Sequence, residues 1–563
     1  MHRRTLLKMT AAALALPCLP TRAASFRRIR PSDPAWPSPA QWQSIGATPV
    51  RPLFDDCGEC KDLLGALRNP FFLGDQAAGT QTSGWLGAWN SAPSAYVVKA
   101  STAKEVAAAV KFAREHNLRL VVKGGGHSYL GTSNAPDSLL IWTRAMNQVT
   151  VNDGSVTCGA GAMWIDLYDA VSTKAGRYVQ GGGCTSVGVA GLVQSGGFGS
   201  FSKGFGTAAS HLIEAEIVTA DGEIRIANER SNPDLFWALK GGGGGSWGVV
   251  TRLTLKTHDL PEYLGGAGGK IRAHSDQAFR ALLTRFFAHY KEHLFNPHWG
   301  EQVQVKPGNV FEISMACQGL SRDQAKAAWQ DLFDWVAARP ADYQVFDDLG
   351  AMAHSSRDWW KADGNRGMNL DSRPGTPAHH GWWKDDHGQI GVYIHGYESL
   401  WLPAAQLGKE SLIDALFAAS RYKQVGLHIN KGLAGAPEAA LKAARNTATN
   451  PAVTEAFALA IIADGEAPAF PGQPRKPVDQ EAARKDALLI DLATAELRKI
   501  APVPGSYVSE SNYFNSEWAA AYWGENYPRL QAVKAKYDPD GLFFVHHGVG
   551  SENWSADGFE RLS

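Results

Sequence analysis

The chain has 563 residues, 44% of them apolar, with 59 glycines and equal numbers of basic and acidic side chains, 55 of each. That length and apolar content call for more than one substructure with a sizeable core. A zero formal charge without long runs of one sign excludes the electrostatic footprint of a nucleic-acid binder. Nineteen tryptophans offer either stacking surfaces for sugars and planar ligands or plain core filling.

Residues 1–24 have the layout of a cleaved export leader: His2-Arg3-Arg4-Thr5-Leu6-Leu7-Lys8, an apolar stretch from Met9 to Pro20, then Ala23-Ala24. The stretch is too short to span a bilayer. Arg3-Arg4 followed by two leucines and Lys8 is similar to a twin-arginine signal, the bacterial route for proteins that fold around a cofactor before export. The expectation is a periplasmic or secreted protein, detached from the membrane once mature, with 51 basic against 55 acidic groups. Cys18 leaves with the leader, and Cys57, Cys60, Cys158, Cys184 and Cys317 remain, an odd number for an oxidising compartment. A thiol consumed by a cofactor leaves four for pairing. Cys57-Gly58-Glu59-Cys60 could be a redox pair, half a zinc site, a local disulfide or part of two separate bridges. With no second CxxC, no metal centre is expected.

Residues 25–91 are rich in Pro, Trp and Gly with little periodicity and read as an irregular arm. From Tyr96 the pattern sharpens into a strand, then a capping box at Thr102–Glu105 opening a helix with Val106, Ala109, Val110 and Ala113 on one face and Asn117 ending it. A second strand over 118–122 runs into Lys123-Gly124-Gly125-Gly126-His127-Ser128-Tyr129. Strands are predicted over 139–142, 149–151, 215–219 and 249–255, with helices over 163–174 and 233–240 and a turn at Asp221-Gly222. Beyond 258, helical stretches (276–289, 322–338) alternate with strands (302–306, 391–395, 425–430), which is a second domain. A helix over 522–537 precedes the end.

Glycine concentrates in three loops, 124–126, 181–199 and 241–245. Glycine at that density lets backbone N–H groups approach a phosphate closely, so a phosphate-bearing dinucleotide is the economical explanation. Gly243-Gly244-Gly245-Ser246-Trp247-Gly248 satisfies GxGxxG, but it follows a helix and precedes a strand, the reverse of a nicotinamide fingerprint. Gly-Lys-Ser and Gly-Lys-Thr are absent. NAD and ATP are thereby demoted.

Gly124-Gly125-Gly126-His127-Ser128, Cys184-Thr185-Ser186-Val187-Gly188-Val189, Ser195-Gly196-Gly197-Phe198-Gly199 and the run Asp234 to Ser246 resemble the FAD domain of the vanillyl-alcohol oxidase superfamily, in particular its berberine bridge enzyme-like oxidases. The segment Tyr522 to Leu530 with Lys534, Tyr537, Asp538-Pro539 and Phe543-Phe544 resembles the C-terminal segment of that branch. The resemblance implies an α+β protein: a two-subdomain PCMH-type FAD-binding domain over 92–258, an α+β substrate domain with a mainly antiparallel sheet over 259–502, and a segment 503–563 that packs back on the FAD domain. It implies FAD bonded through its 8α-methyl to His127 and through C6 to Cys184, although Thr185-Ser186 replaces the Pro-Thr of the doubly linked members. It also implies a cofactor cradle of Gly124, Gly125, Gly126, Ser128, Val187, Gly188, Gly191, Gly196, Gly197, Gly199, Gly245 and Val249.

A flavin takes a hydride when the substrate C–H is held over its ring and a base removes the accompanying proton. Carbohydrate-oxidising relatives carry that base as the tyrosine of Tyr-x-Asn-x-x-Asp. The nearest match is Tyr507-Val508-Ser509-Glu510-Ser511-Asn512, which names Tyr507 and Glu510 as catalytic candidates. Tyr397, His428 and Asn430, the last two alternating on one strand, are candidates for the substrate. Val187, third after the linking cysteine, is the residue type that in the family admits oxygen, so an oxidase producing hydrogen peroxide is expected. The alternatives are a dehydrogenase with another electron acceptor and a non-catalytic carbohydrate-binding flavoprotein.

Overall fold

The computed structural model describes residues 26–55 and 60–562. The leader and Cys57 lie outside them. Among the described residues no helix is long and apolar enough to cross a membrane.

The helix Ala103–Glu115 carries the capping box, with Thr102 accepting from the Glu105 amide, and buries Val106, Ala109, Val110 and Ala113. It ends where Asn117 turns left-handed at φ 51°. Buried against it, Tyr96–Lys99 and Arg119–Lys123 pair in parallel with Ser138–Trp142 between them. A second sheet is built on the long strand Val249–Asp259, which pairs antiparallel with Leu212–Val218, Ser155–Gly159 and Arg177–Val179.

The third sheet has nine strands, and two of its central ones alternate clearly. Val303 and Val305 of Trp299–Lys306, and Ile313 and Met315 of Val310–Gln318, enter a core covered by the helices Asp276–His289, Arg322–Ala337, Glu410–Ala419 and Gln480–Arg498. Their neighbours Gln302, Gln304, Ser314 and Ala316 point the other way, into a cavity against the glycine loops. The period of 2 that builds this sheet therefore supplies a polar wall on one face and a core on the other.

Several expectations change. The arm is not wholly irregular: Thr82–Trp85 joins the nine-stranded sheet in parallel with Val392–Pro403. The strand begun at Val425 stops at His428, and Asn430 sits on a 3-10 turn, Ile429–Lys431. The helix expected over 522–537 is two, Trp518–Trp523 and Tyr527–Tyr537, broken at Gly524, whose φ of 52° a continuous helix forbids. Cys60 is disulfide-bonded, whereas Cys158 and Cys317 are free and buried, which removes two separate bridges. Trp42, Trp85, Trp164, Trp247, Trp299, Trp329 and Trp523 are fully buried, so the tryptophan excess is in good part core filling.

Candidate active site

A cavity of about 860 Å³ opens between the glycine loops and the polar face of the nine-stranded sheet. Ligand pockets span roughly 300–1,000 Å³. Gly124, Gly125, Gly126, His127, Ser128, Cys184, Val187, Gly188, Gly191 and Gly245 line it on one side, and Tyr397, His428, Asn430, Tyr507 and Glu510 on the other.

Four expected cradle residues do not line it. Gly199 is glycine for packing, since a Cβ there would stand 1.8 Å from the Gly181 carbonyl oxygen. Gly196 lies against Thr449 and the Tyr507 ring, and Gly197 against Ala208 and Leu192. Val249 points into the core, while its neighbours Gly248 and Val250 reach the wall.

The strand Arg119–Lys123 delivers the loop 124–128 to the cavity, where Gly125 passes so close to the 186–188 loop that a Cβ would meet the Gly188 nitrogen at 2.9 Å. His127 Nε2 and Ser186 Oγ are 3.1 Å apart across this contact. Burial pushes the His127 imidazole down to about 4. A neutral ring keeps the lone pair that a bond to carbon needs.

Two lysines line the cavity and both are engaged. Lys123 Nζ donates to the carbonyls of Gln76 (2.7 Å), Ala77 (2.5 Å) and Gly79 (3.1 Å), and burial lowers its pKa to about 7. Lys431 is ion-paired with Glu510. No arginine is among the lining residues. A diphosphate in this cavity is therefore left to the backbone amides of the glycine loops, the mode of binding such loops provide. FAD fits that donor set.

Around the second half of the cavity stand groups that sequence reasoning missed. The Cys184 thiol donates to Asp386 Oδ1 at 3.4 Å. Burial, then Asp386, hold that thiol well above its ordinary range, and burial raises Asp386 to about 6. Glu301 is raised by burial and stands beside Ser200. Tyr129 and Tyr397 pack ring to ring at 5.3 Å. Tyr507 lies edge-on to Phe198 at 5.0 Å, only 6% exposed, its hydroxyl without a well-formed hydrogen bond. Burial first, then Glu510, raise the pKa of Tyr507, and the Ser509 hydroxyl and Gly197 amide only partly oppose them. The Glu510 amide donates to the Tyr507 carbonyl at 2.9 Å, a tight turn that turns both side chains into the cavity. Tyr129 could have been found as the second residue after His127. Asp386 and Glu301 carry no motif.

Residues 93–228 match the family described as "FAD binding domain", and residues 503–550 the one described as "Berberine and berberine like". An FAD-linked oxidoreductase, easE, of Arthroderma benhamiae is 30% identical over 486 residues, covering 82% of this chain and 90% of its own. The VAO-type flavoprotein MtVAO615 of Myceliophthora thermophila C1 superposes with a TM-score of 0.76 at 23% identity, over 95% of this chain and all of its own. Glucooligosaccharide oxidase of Acremonium strictum, whose structure is titled for its "6-s-cysteinyl, 8 alpha-N1-histidyl FAD", does so at 0.62 and 20% identity, over 82% and 92%. The chain belongs to the FAD-linked oxidoreductases of the berberine bridge enzyme-like, vanillyl-alcohol oxidase-type family. It is an FAD-linked enzyme with the mixed fold of that group.

Proposed function

We propose that this enzyme oxidises a carbohydrate or another alcohol on an FAD bonded to His127 and Cys184, and passes the electrons to oxygen as hydrogen peroxide. The observation that carries the reading is the convergence of His127, Cys184, Val187, Tyr507 and Glu510 on one cavity. The flavin supplies hydride acceptance at N5. Tyr507 and Glu510 move the proton. The Tyr507 phenol is held protonated, so it must yield its own proton as it takes that of the substrate hydroxyl, and the Glu510 carboxylate beside Lys431 is the acceptor at hand. Tyr397, His428 and Asn430, with Tyr129, line the space left for the substrate; Asn430 presents a buried, unpartnered Oδ1 to be satisfied there.

Anaerobic mixing with mono- and oligosaccharides, aromatic alcohols and amines tests the reading. Bleaching of the flavin by a sugar or alcohol, followed by return of colour within seconds in air, is the expected result. Bleaching without rapid return would identify a dehydrogenase, and no bleaching by any of them a non-catalytic flavoprotein.

Export belongs to the same proposal. The named relatives are fungal and lend the bacterial, twin-arginine part of that expectation no support.

A further inference from the structure

The segment around Asp386 is clipped to the Cys184 loop on both sides. The Thr185 hydroxyl donates to the Gly381 carbonyl at 2.6 Å, and the Trp383 indole N–H donates to the Gly183 carbonyl at 3.2 Å. Residues 183, 184 and 185 thus each bond a residue between 381 and 386. Behind them His379 Nε2 and His380 Nε2 stand 2.9 and 3.0 Å from Asp166 Oδ1. The helix Trp164–Leu167, which bears Asp166, holds the Thr185 and Val187 carbonyls through its Ile165 and Trp164 amides. Asp386 is therefore fixed against the cysteine, and among the described residues no cation is bonded to it: the lysine in this part of the cavity, Lys431, is committed to Glu510.

A buried thiol cannot attack carbon until it loses its proton. The groups facing Cys184 are Asp386, Glu301 and Lys431, of which Asp386 alone accepts its S–H. We propose that Asp386 is the proton acceptor that makes Cys184 nucleophilic when it bonds flavin C6. This rests on the double linkage proposed above. The S–H proton passes to Asp386, the sulfur–C6 bond forms, and the C6 hydrogen is lost as a proton to solvent. The two electrons released reduce the flavin. Oxygen, the proposed acceptor, takes them with the two protons as hydrogen peroxide. Asp386 is left ionised, ready only once per molecule.

The test is the state of the Cys184 thiol in purified holoenzyme, read by alkylation after unfolding and by the mass of the Cys184 peptide. In the wild type the thiol should be unreactive and the peptide should carry flavin. In Asp386→Asn the Cys184 bond should form about 10²–10⁴-fold more slowly, leaving the thiol alkylatable while His127 still holds acid-stable flavin and reports an intact cavity. An Asp386→Asn enzyme doubly linked as fast as wild type overturns the role of Asp386 alone. A wild-type Cys184 that stays alkylatable overturns the double linkage, and this role with it. If Asp386→Asn holds no flavin, Asp386→Glu decides: two bonds uphold the carboxylate's role, and the His127 bond alone overturns it.

Discussion

Lys431, on the 3-10 turn that follows the strand Val425–His428, closes an ion pair with Glu510, on the turn that carries Tyr507. The pair ties the proposed acid-base residues to the substrate wall. That contact makes the three residues one unit for mutagenesis. Tyr507→Phe is expected to slow flavin reduction by about 10²–10⁴-fold while reoxidation in air is unchanged. Because the Tyr507 hydroxyl has no well-formed partner, the same change should cost almost no stability. Glu510→Gln should slow reduction too. Stopped-flow traces in which Glu510→Gln is slow but Tyr507→Phe is normal would move the base to Glu510.

The cofactor bonds are checked by acid precipitation. Wild-type pellets should stay yellow. His127→Ala should remain coloured through Cys184, Cys184→Ala through His127, and the double variant should release FAD to the supernatant. Free FAD from the wild type would remove covalent attachment from the reading.

Acid sensitivity should follow His211, which is 5% exposed and lies edge-on to His258 at 4.8 Å. Burial lowers His211 to about 4, so the folded protein holds it neutral where the unfolded chain, at its ordinary value of about 6.5, binds a proton. Unfolding therefore takes up a proton between these values, and stability falls as pH drops through that window by about 1.4 kcal/mol per pH unit for this group. His211→Gln, which keeps a donor toward the Thr207 carbonyl, should flatten the dependence by that amount in chemical denaturation at pH 4.5 to 6.5. An unchanged slope would show that other groups set it.

The leader makes a separate prediction. Arg3-Arg4→Lys-Lys should retain the protein in the cytoplasm of a bacterial host if the twin-arginine route is used, as read by fractionation and immunoblotting. Unchanged export would point to the general secretory route.

Much of the frame was legible because it is local. The Thr102–Glu105 capping box, the left-handed Asn117 and the Asp221-Gly222 turn are settled within a few residues of chain, and the structure has each of them. The glycines lining the cavity were legible as a group but not singly: Gly199 and Gly188 look alike in sequence, yet one yields to the Gly181 carbonyl and the other to the Gly125 backbone. Asp386 was hidden for a different reason. It reaches Cys184 across 202 residues, on a 3-10 turn with no periodicity, and only the clip from Gly381 and Trp383 gives it meaning. The arm's strand was missed because Thr82–Trp85 is buried on both faces and so lacks alternation.

The two ends of the described chain meet. The Arg561 amide donates to the Phe26 carbonyl at 3.0 Å, and the Arg28 guanidinium donates to the Gly558 carbonyl at 2.8 Å and to that of Gly541. Thr82–Trp85 in turn waits for a partner strand that begins at Val392. The partners of Phe26, Arg28 and Thr82–Trp85 therefore leave the ribosome late, whereas Trp42 and Thr48 find theirs within about seventy residues of chain, at Tyr96, Val97 and Phe112. The same closure makes the molecule a natural candidate for circular permutation, since a short linker from 562 to 26 would join neighbours rather than bridge a gap.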